Sequence, residues 1–201
     1  MFNATVKPVF SRIFLSLIAI CCSLAAAAEP STLRTISIDS NVWITTKPTI
    51  DPYKGDPKPE TIQTLKNLAD GSEINLRDIV LKRFRTRLQQ GDLPIAIAAA
   101  NANAELHIHI EDYGLTARNK TLLQPTITIE ARLVKSNGHV IWNAGENLSD
   151  SELQGISAQT WEDYTAKPAL LKSGYEEVAN AAVNTIVDNL IDSHKAGEIG
   201  E

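Results

Sequence analysis

The chain has 201 residues, a formal net charge of −5, few aromatic side chains and only two cysteines. That length suits one domain with a sizeable core, and the acidic balance argues against general nucleic-acid binding. Both cysteines lie within the first 22 residues, so the rest of the chain can form no disulfide and must rest on its core.

The first 28 residues have the layout of a cleavable secretory signal. Lys7 and Arg12 supply positive charge, and no acidic residue precedes Glu29. An apolar run from Ile13 to Leu24 leads into Ala25-Ala26-Ala27-Ala28, and cleavage is expected after Ala27 or Ala28. The alternative, a retained anchor, is set aside because the run is shorter than the ~20 residues of a spanning helix. Lipidation is not expected either. Ile20 precedes Cys21 and Cys21 precedes Cys22, where an acylation site needs a small residue. The expected organisation is a signal over 1–28, one domain over 29–192 and a mobile tail over 193–201, with a periplasmic location.

Leu33 to Ile38 alternates apolar and polar residues and predicts a first strand, which Val42 to Thr45 would extend after a break at Asp39-Ser40-Asn41. Lys47 to Glu60 contains four prolines and Gly55 and reads as a loop. A short helix is expected from Thr61 to Ala69. A second follows, with Leu76, Ile79, Val80, Phe84 and Leu88 on one face, Asn75 and Asp78 capping its start and Gly91 ending it. Leu93 to Ile97 is a weak strand. Glu105 to Tyr113 alternates cleanly, with Leu106, Ile108 and Ile110 on one face and His107, His109 and Glu111 on the other.

Asn137-Gly138 between two alternating segments, 126–136 and 139–146, predicts a hairpin closed by a two-residue type I′ turn. That closure sets Ser136 against His139, Val134 against Ile141, Leu133 against Trp142 and Ala131 against Ala144. Leu133, Trp142, Ile127 and Ile129 then share the core side. Trp161 to Thr165 reads as a short helical turn. Pro168 suits the first turn of a final helix whose stripe runs from Leu171 to Leu190. The expected class is α+β: a mostly antiparallel sheet with two amphipathic helices packed on one face.

Several of these segments together resemble a known group. They are Ile36-Ser37-Ile38-Asp39, the basic helix Ile79 to Leu88, Ala104-Glu105-Leu106, Asp112-Tyr113-Gly114-Leu115, Pro125-Thr126-Ile127 and Gly138-His139-Val140-Ile141-Trp142. The pattern resembles small envelope lipoproteins of Gram-negative bacteria over residues 33–191. It is more distantly similar to the TolB amino-terminal domain and to lipoprotein activators of penicillin-binding proteins. The resemblance implies a sheet with helices on one face and action by protein contact. It transfers no functional residue, and the missing lipobox is a departure from the group.

Two clusters carry candidate chemistry. His107 and His109, two apart on a strand, project from one face and could share a metal with Glu105 or Glu111. The plain alternative is the polar side of a half-buried strand. Lys82, Arg83, Arg85 and Arg87 concentrate positive charge suited to anionic lipid, cell-wall polymer or an acidic protein, against the alternative of a solvated helix face. Trp43, Trp161 and Tyr164 read as packing residues before recognition residues, and Trp142 as core. Beyond the signal the chain has no cysteine nucleophile, Gly-x-Ser-x-Gly, phosphate-binding glycine loop or His-Glu-x-x-His, and the adjacent Glu162 and Asp163 would diverge on a helix. The expectation is a non-catalytic periplasmic accessory protein without a cofactor, binding an envelope protein or cell-wall component. Membrane contact would then need no retained spanning helix. The alternative is a metal- or small-ligand-binding protein using the His107/His109 face.

Overall fold

The computed structural model describes residues 33–90, 95–98, 101–148 and 150–199. The expected signal over 1–28, with Cys21 and Cys22, lies outside the described residues, as do Gly91, Leu93 and Pro94. The chain opens with three short strands, β1 (Thr35–Ile38), β2 (Trp43–Ile44) and β3 (Thr49–Asp51). Two helices follow, α1 (Pro59–Asp70) and α2 (Leu76–Gln90). Then come β4 (Ala96–Ile97), β5 (Ala104–Ala117), β6 (Leu123–Lys135) and β7 (Val140–Asn147), and finally α3 (Asp150–Leu153), α4 (Trp161–Ala166) and α5 (Pro168–Lys195).

β5 is the axis of the sheet. On one side it pairs antiparallel with β6, which pairs antiparallel with β7. On the other side β1, β2 and β3 lie along it in succession, all parallel, and β4 adds a parallel strand outside β1. The sheet is therefore mixed, which corrects the expectation of a mostly antiparallel one. Between Asp51 and Ala96 the chain passes through α1 and α2, and a helical crossover returns a strand in the same direction, where a tight turn reverses it. Within Val42 to Thr45, Trp43–Ile44 forms β2, which continues along the same edge of β5 after the expected break, where Asp39 Oδ1 accepts from Asn41 N–H at 2.8 Å and turns the chain. The proline-rich segment is not all loop. Thr49-Ile50-Asp51 fits between Pro48 and Pro52 and pairs with β5 alone, as an edge strand bounded by prolines can.

The helices follow their patterns closely. Pro59 stands at the start of α1, where a missing N–H costs nothing. At α2 Asn75 caps as expected, its Oδ1 accepting from Asp78 N–H at 3.3 Å. The second leg of a capping box is not made: the Asn75 backbone N–H donates to the Gly71 carbonyl at 2.9 Å, and only the Asn75 side-chain amide donates to the Asp78 carboxylate. α2 buries Leu76, Ile79, Val80, Leu81, Phe84 and Leu88. α5 buries its whole stripe from Leu171 to Ile191 and packs on β6, on β7 and against α2. Its helical turns run on through Lys195, and Ile199 beyond them is buried in the core.

The 137–138 hairpin forms with different turn chemistry. Gly138 N–H donates to the Lys135 carbonyl at 2.8 Å and Lys135 N–H to the His139 carbonyl at 2.9 Å, with Gly138 at φ +84°. This is a three-residue loop, a type I turn followed by a left-handed glycine, in place of the two-residue type I′ loop expected. Near the turn the register is shifted by one, so Val134 faces Val140 and not Ile141. A bulge between Leu133 and Val134 then restores the expected pairs Leu133 with Trp142 and Ala131 with Ala144. Trp142 stays buried, and its indole N–H donates to Asn189 Oδ1 of α5 at 3.1 Å. Burial of a large apolar side chain contributes about 1.5–3 kcal/mol, enough to enforce this repair.

Under the sheet, Tyr113, Tyr164 and Tyr175 are fully buried. Burial pushes the hydroxyls of Tyr113 and Tyr164 up to about 12, and that of Tyr175 further above its ordinary value of 10.0. A raised folded-state pKa means the folded chain holds the protons longer than the unfolded chain does. Stability is then fully present below pH 10.0 and lost as pH rises through about 12. The melting temperature should be flat with respect to these groups at neutral pH and fall steeply over that window. Tyr175→Phe should soften the fall, and an unchanged alkaline profile would refute the assignment.

Candidate functional site

The helices cover one face of the sheet, and no described element packs over the other. Strand alternation sends Glu105, His107 and His109 of β5 and Glu130, Arg132 and Val134 of β6 to that open face. The strand registers set these side chains in rows. Trp43 lies beside His109, which lies beside Glu130 and then Gly145, and His107 lies beside Arg132 and then Asn143. Glu105, Val134 and Val140 make the next row. On this face Trp43 is 56% exposed and Val140 43%. Between them runs an open groove of about 360 Å³, floored by His107, His109, Glu130 and Arg132.

A second irregularity shapes this face. A bulge between Ile110 and Asp112 leaves Glu111 as the extra, unpaired residue of β5. Before it the even-numbered Leu106, Ile108 and Ile110 point to the core, and after it the odd-numbered Tyr113 and Leu115 do. Glu111 keeps the outward side beside His109 that alternation gives it, and the bulge reverses the phase of the residues that follow.

The two histidines part company here. His107 Nε2 lies 3.1 Å from Glu105 Oε2, a contact within its own strand. His109 Nε2 lies 3.0 Å from the Thr45 hydroxyl, and its Nδ1 lies 3.9 Å from Glu130 Oε2. Glu130, only 13% exposed, also accepts from Arg132 Nη2 at 2.7 Å. The potential ligand atoms of His109, Glu111 and Glu130 all lie within 4.8 Å of one another. Of the expected set His107, His109 and Glu111, the structure thus gathers the last two and replaces His107 with Glu130. Alternation within β6 already places Glu130 on the outer face. What no local pattern supplies is the pairing of β6 with β5 that sets it opposite His109.

The basic residues of α2 are distributed around the helix. Arg87 forms an ion pair with Asp188 of α5. Lys82 and Arg83 border a shallow groove between α2 and α5 together with Lys172 and Glu176, while Arg85 is exposed to one side. Neighbouring residues on a helix diverge by roughly 100°, which spreads Lys82, Arg83, Arg85 and Arg87 over more than one face. Trp161 packs against the core, and the Tyr164 hydroxyl donates to the Leu123 carbonyl at 3.1 Å. Asp163 is engaged in the α4 cap with Thr160, while its neighbour Glu162 is exposed, so the two carboxylates do not form a pair.

No family model and no curated protein matches the chain. Solved structures to which it is similar at low identity include the following three. A DUF330 protein from Xanthomonas campestris superposes with a TM-score of 0.45 at 12% identity, covering 86% of this chain and 90% of its own. A hypothetical protein from Chlamydia trachomatis gives 0.47 at 10% identity, covering 81% and 98%. A protein classed as a lipoprotein from Caulobacter crescentus gives 0.41 at 12% identity, covering 67% and 98%. At such identities and scores they assign no activity or partner to this chain, and a likeness to the TolB domain is not shown. Among the described residues no helix is long and apolar enough to cross a membrane.

Proposed function

We propose that the protein is a non-catalytic accessory component of the Gram-negative periplasm that binds another envelope component through the open face of its sheet. The observation that carries this reading is Trp43, more than half exposed where a tryptophan ordinarily packs. It faces Val140 across a groove whose charged groups fix orientation, the composition of a contact centre with a polar rim. The export signal expected at residues 1–28 supports the location. The resemblance to domains that act by protein contact supports the mode of action. The basic helix is the lesser candidate, since part of its charge is spent on Asp188.

The test is cross-linked affinity capture from the native envelope with the wild-type chain, Trp43→Ala, and Lys82→Gln/Arg85→Gln. Loss of an exposed aromatic at a contact centre should cost about 2 kcal/mol, roughly 30-fold in affinity. Trp43→Ala should therefore abolish a capture that the α2 variant retains. Capture lost with the α2 variant and kept with Trp43→Ala would transfer the contact to the helix.

A further inference from the structure

We propose that His109, Glu111 and Glu130 form a binding site for a divalent transition-metal ion, zinc being the representative, on the open face of the sheet. One imidazole and two carboxylates are a donor set suited to such ions, with room left for water or an incoming group as a fourth ligand.

Three features bring the donors together. Cross-strand pairing sets His109 directly beside Glu130. Alternation puts Glu111 on the same face as His109, and the β5 bulge reverses the phase only after it, where Tyr113 turns to the core. Gly145 follows Glu130 in the same row, so no side chain crowds the carboxylate from the β7 side.

The fourth feature is the orientation of the ring. The Thr45 hydroxyl, 3.0 Å from His109 Nε2, can accept from that nitrogen's N–H. In that tautomer the Nδ1 lone pair faces Glu130, 3.9 Å away. Ligating histidines are commonly held this way, by a polar partner on the nitrogen that does not bind. Lone pair and carboxylates then converge with no proton between them, and a cation relieves the arrangement. Arg132 neutralises one of the two carboxylate charges through Glu130 Oε2, so one negative charge remains for the ion. Bond lengths of about 2.0–2.2 Å to a tetrahedral ion bring donors to roughly 3.4 Å apart. The present spread, within 4.8 Å, closes by side-chain rotation without backbone movement.

His107 is excluded from the set by the same geometry, being turned to Glu105. That gives the test its control. Zinc titration of the metal-stripped protein by calorimetry should show one ion per chain, and the melting temperature should rise with zinc concentration. His109→Ala, Glu111→Gln and Glu130→Gln should each weaken binding about tenfold or more, while His107→Ala binds as the wild type does. All four positions lie on the open face of the sheet, and unchanged metal-free melting curves will verify that each variant folds. Absence of zinc uptake by the wild type would overturn the proposal. So would weakening in His107→Ala equal to that in His109→Ala, or wild-type affinity in Glu130→Gln. Trp43→Ala should leave zinc binding intact, so failure here and failure of the contact-surface proposal are separately visible.

Discussion

Gly114→Ala should lower the stability of the protein by about 3 kcal/mol, the upper end of what overpacking costs. A Cβ at this position would lie 2.0 Å from the Thr49 carbonyl oxygen, 2.6 Å from the Thr49 hydroxyl and 2.8 Å from the Thr49 carbonyl carbon. Two of those three atoms are backbone, so no rotamer change relieves the clash. Thr49 is the partner of Gly114 in the β3–β5 ladder, and the nearest relief is for β3 to peel away, exposing Ile50 from the core. For a chain of this size about 3 kcal/mol corresponds to a fall of roughly 6–12 °C in melting temperature. The accompanying signature is faster proteolytic nicking between residues 47 and 58. A variant with an unshifted urea midpoint would show that the two strands can separate at no cost, contrary to the tight approach described.

Tyr175→Ala should cost about 3–5 kcal/mol, as truncation of a fully buried aromatic does. Tyr175 sits beneath the same point of the sheet, with no exposed surface, and its hydroxyl donates to the Gly114 carbonyl at 3.3 Å. Tyr175→Phe separates the two contributions. It keeps the ring and leaves the Gly114 carbonyl without its donor, a loss of about 1 kcal/mol. If Phe proved as damaging as Ala, the hydroxyl rather than the ring would be the main support. Equilibrium urea unfolding of the pair decides between these outcomes. The neighbouring α5 residue Gly174 shows how close the helix lies, because a Cβ there would come 2.6 Å from Pro125 Cγ. Pro125 is tolerated within β6 because β7 has ended at Asn147 opposite Thr128, so its missing N–H interrupts no ladder.

Much of the architecture was legible locally. The apolar stripe of α5, the Asn75 cap of α2 and the alternation of β5 and β6 are signals carried by residues within a few positions of one another. They were enough to name every helix but the four-residue α3, the long strands, the inward side of Leu106 to Ile110 and the burial of Trp142. The short edge strands were less legible. Two or three residues are too few to show a period, and β3 was hidden by flanking prolines that mark its ends. The hairpin was read correctly from Leu133 outward and one residue out at its tip, where Ser136-Asn137-Gly138 adopts a wider loop that a bulge then absorbs.

The candidate site divides along the same line. Alternation alone placed His109 and Glu111 on the polar side of a strand, and the spacing of two between His107 and His109 suggested that they act together. Only the fold separated them, by giving His107 to Glu105 and His109 to Thr45 and Glu130. Which strands run parallel, where β5 bulges and which side chains meet across its edges depend on pairings between residues far apart in the chain. No local periodicity encodes such pairings. The sequence by itself determined which side of each long element is apolar, because that follows from dihedral geometry and composition. The tertiary structure decided which polar groups share the opposite side, because strand pairing alone brings Trp43, His109 and Glu130 into one row.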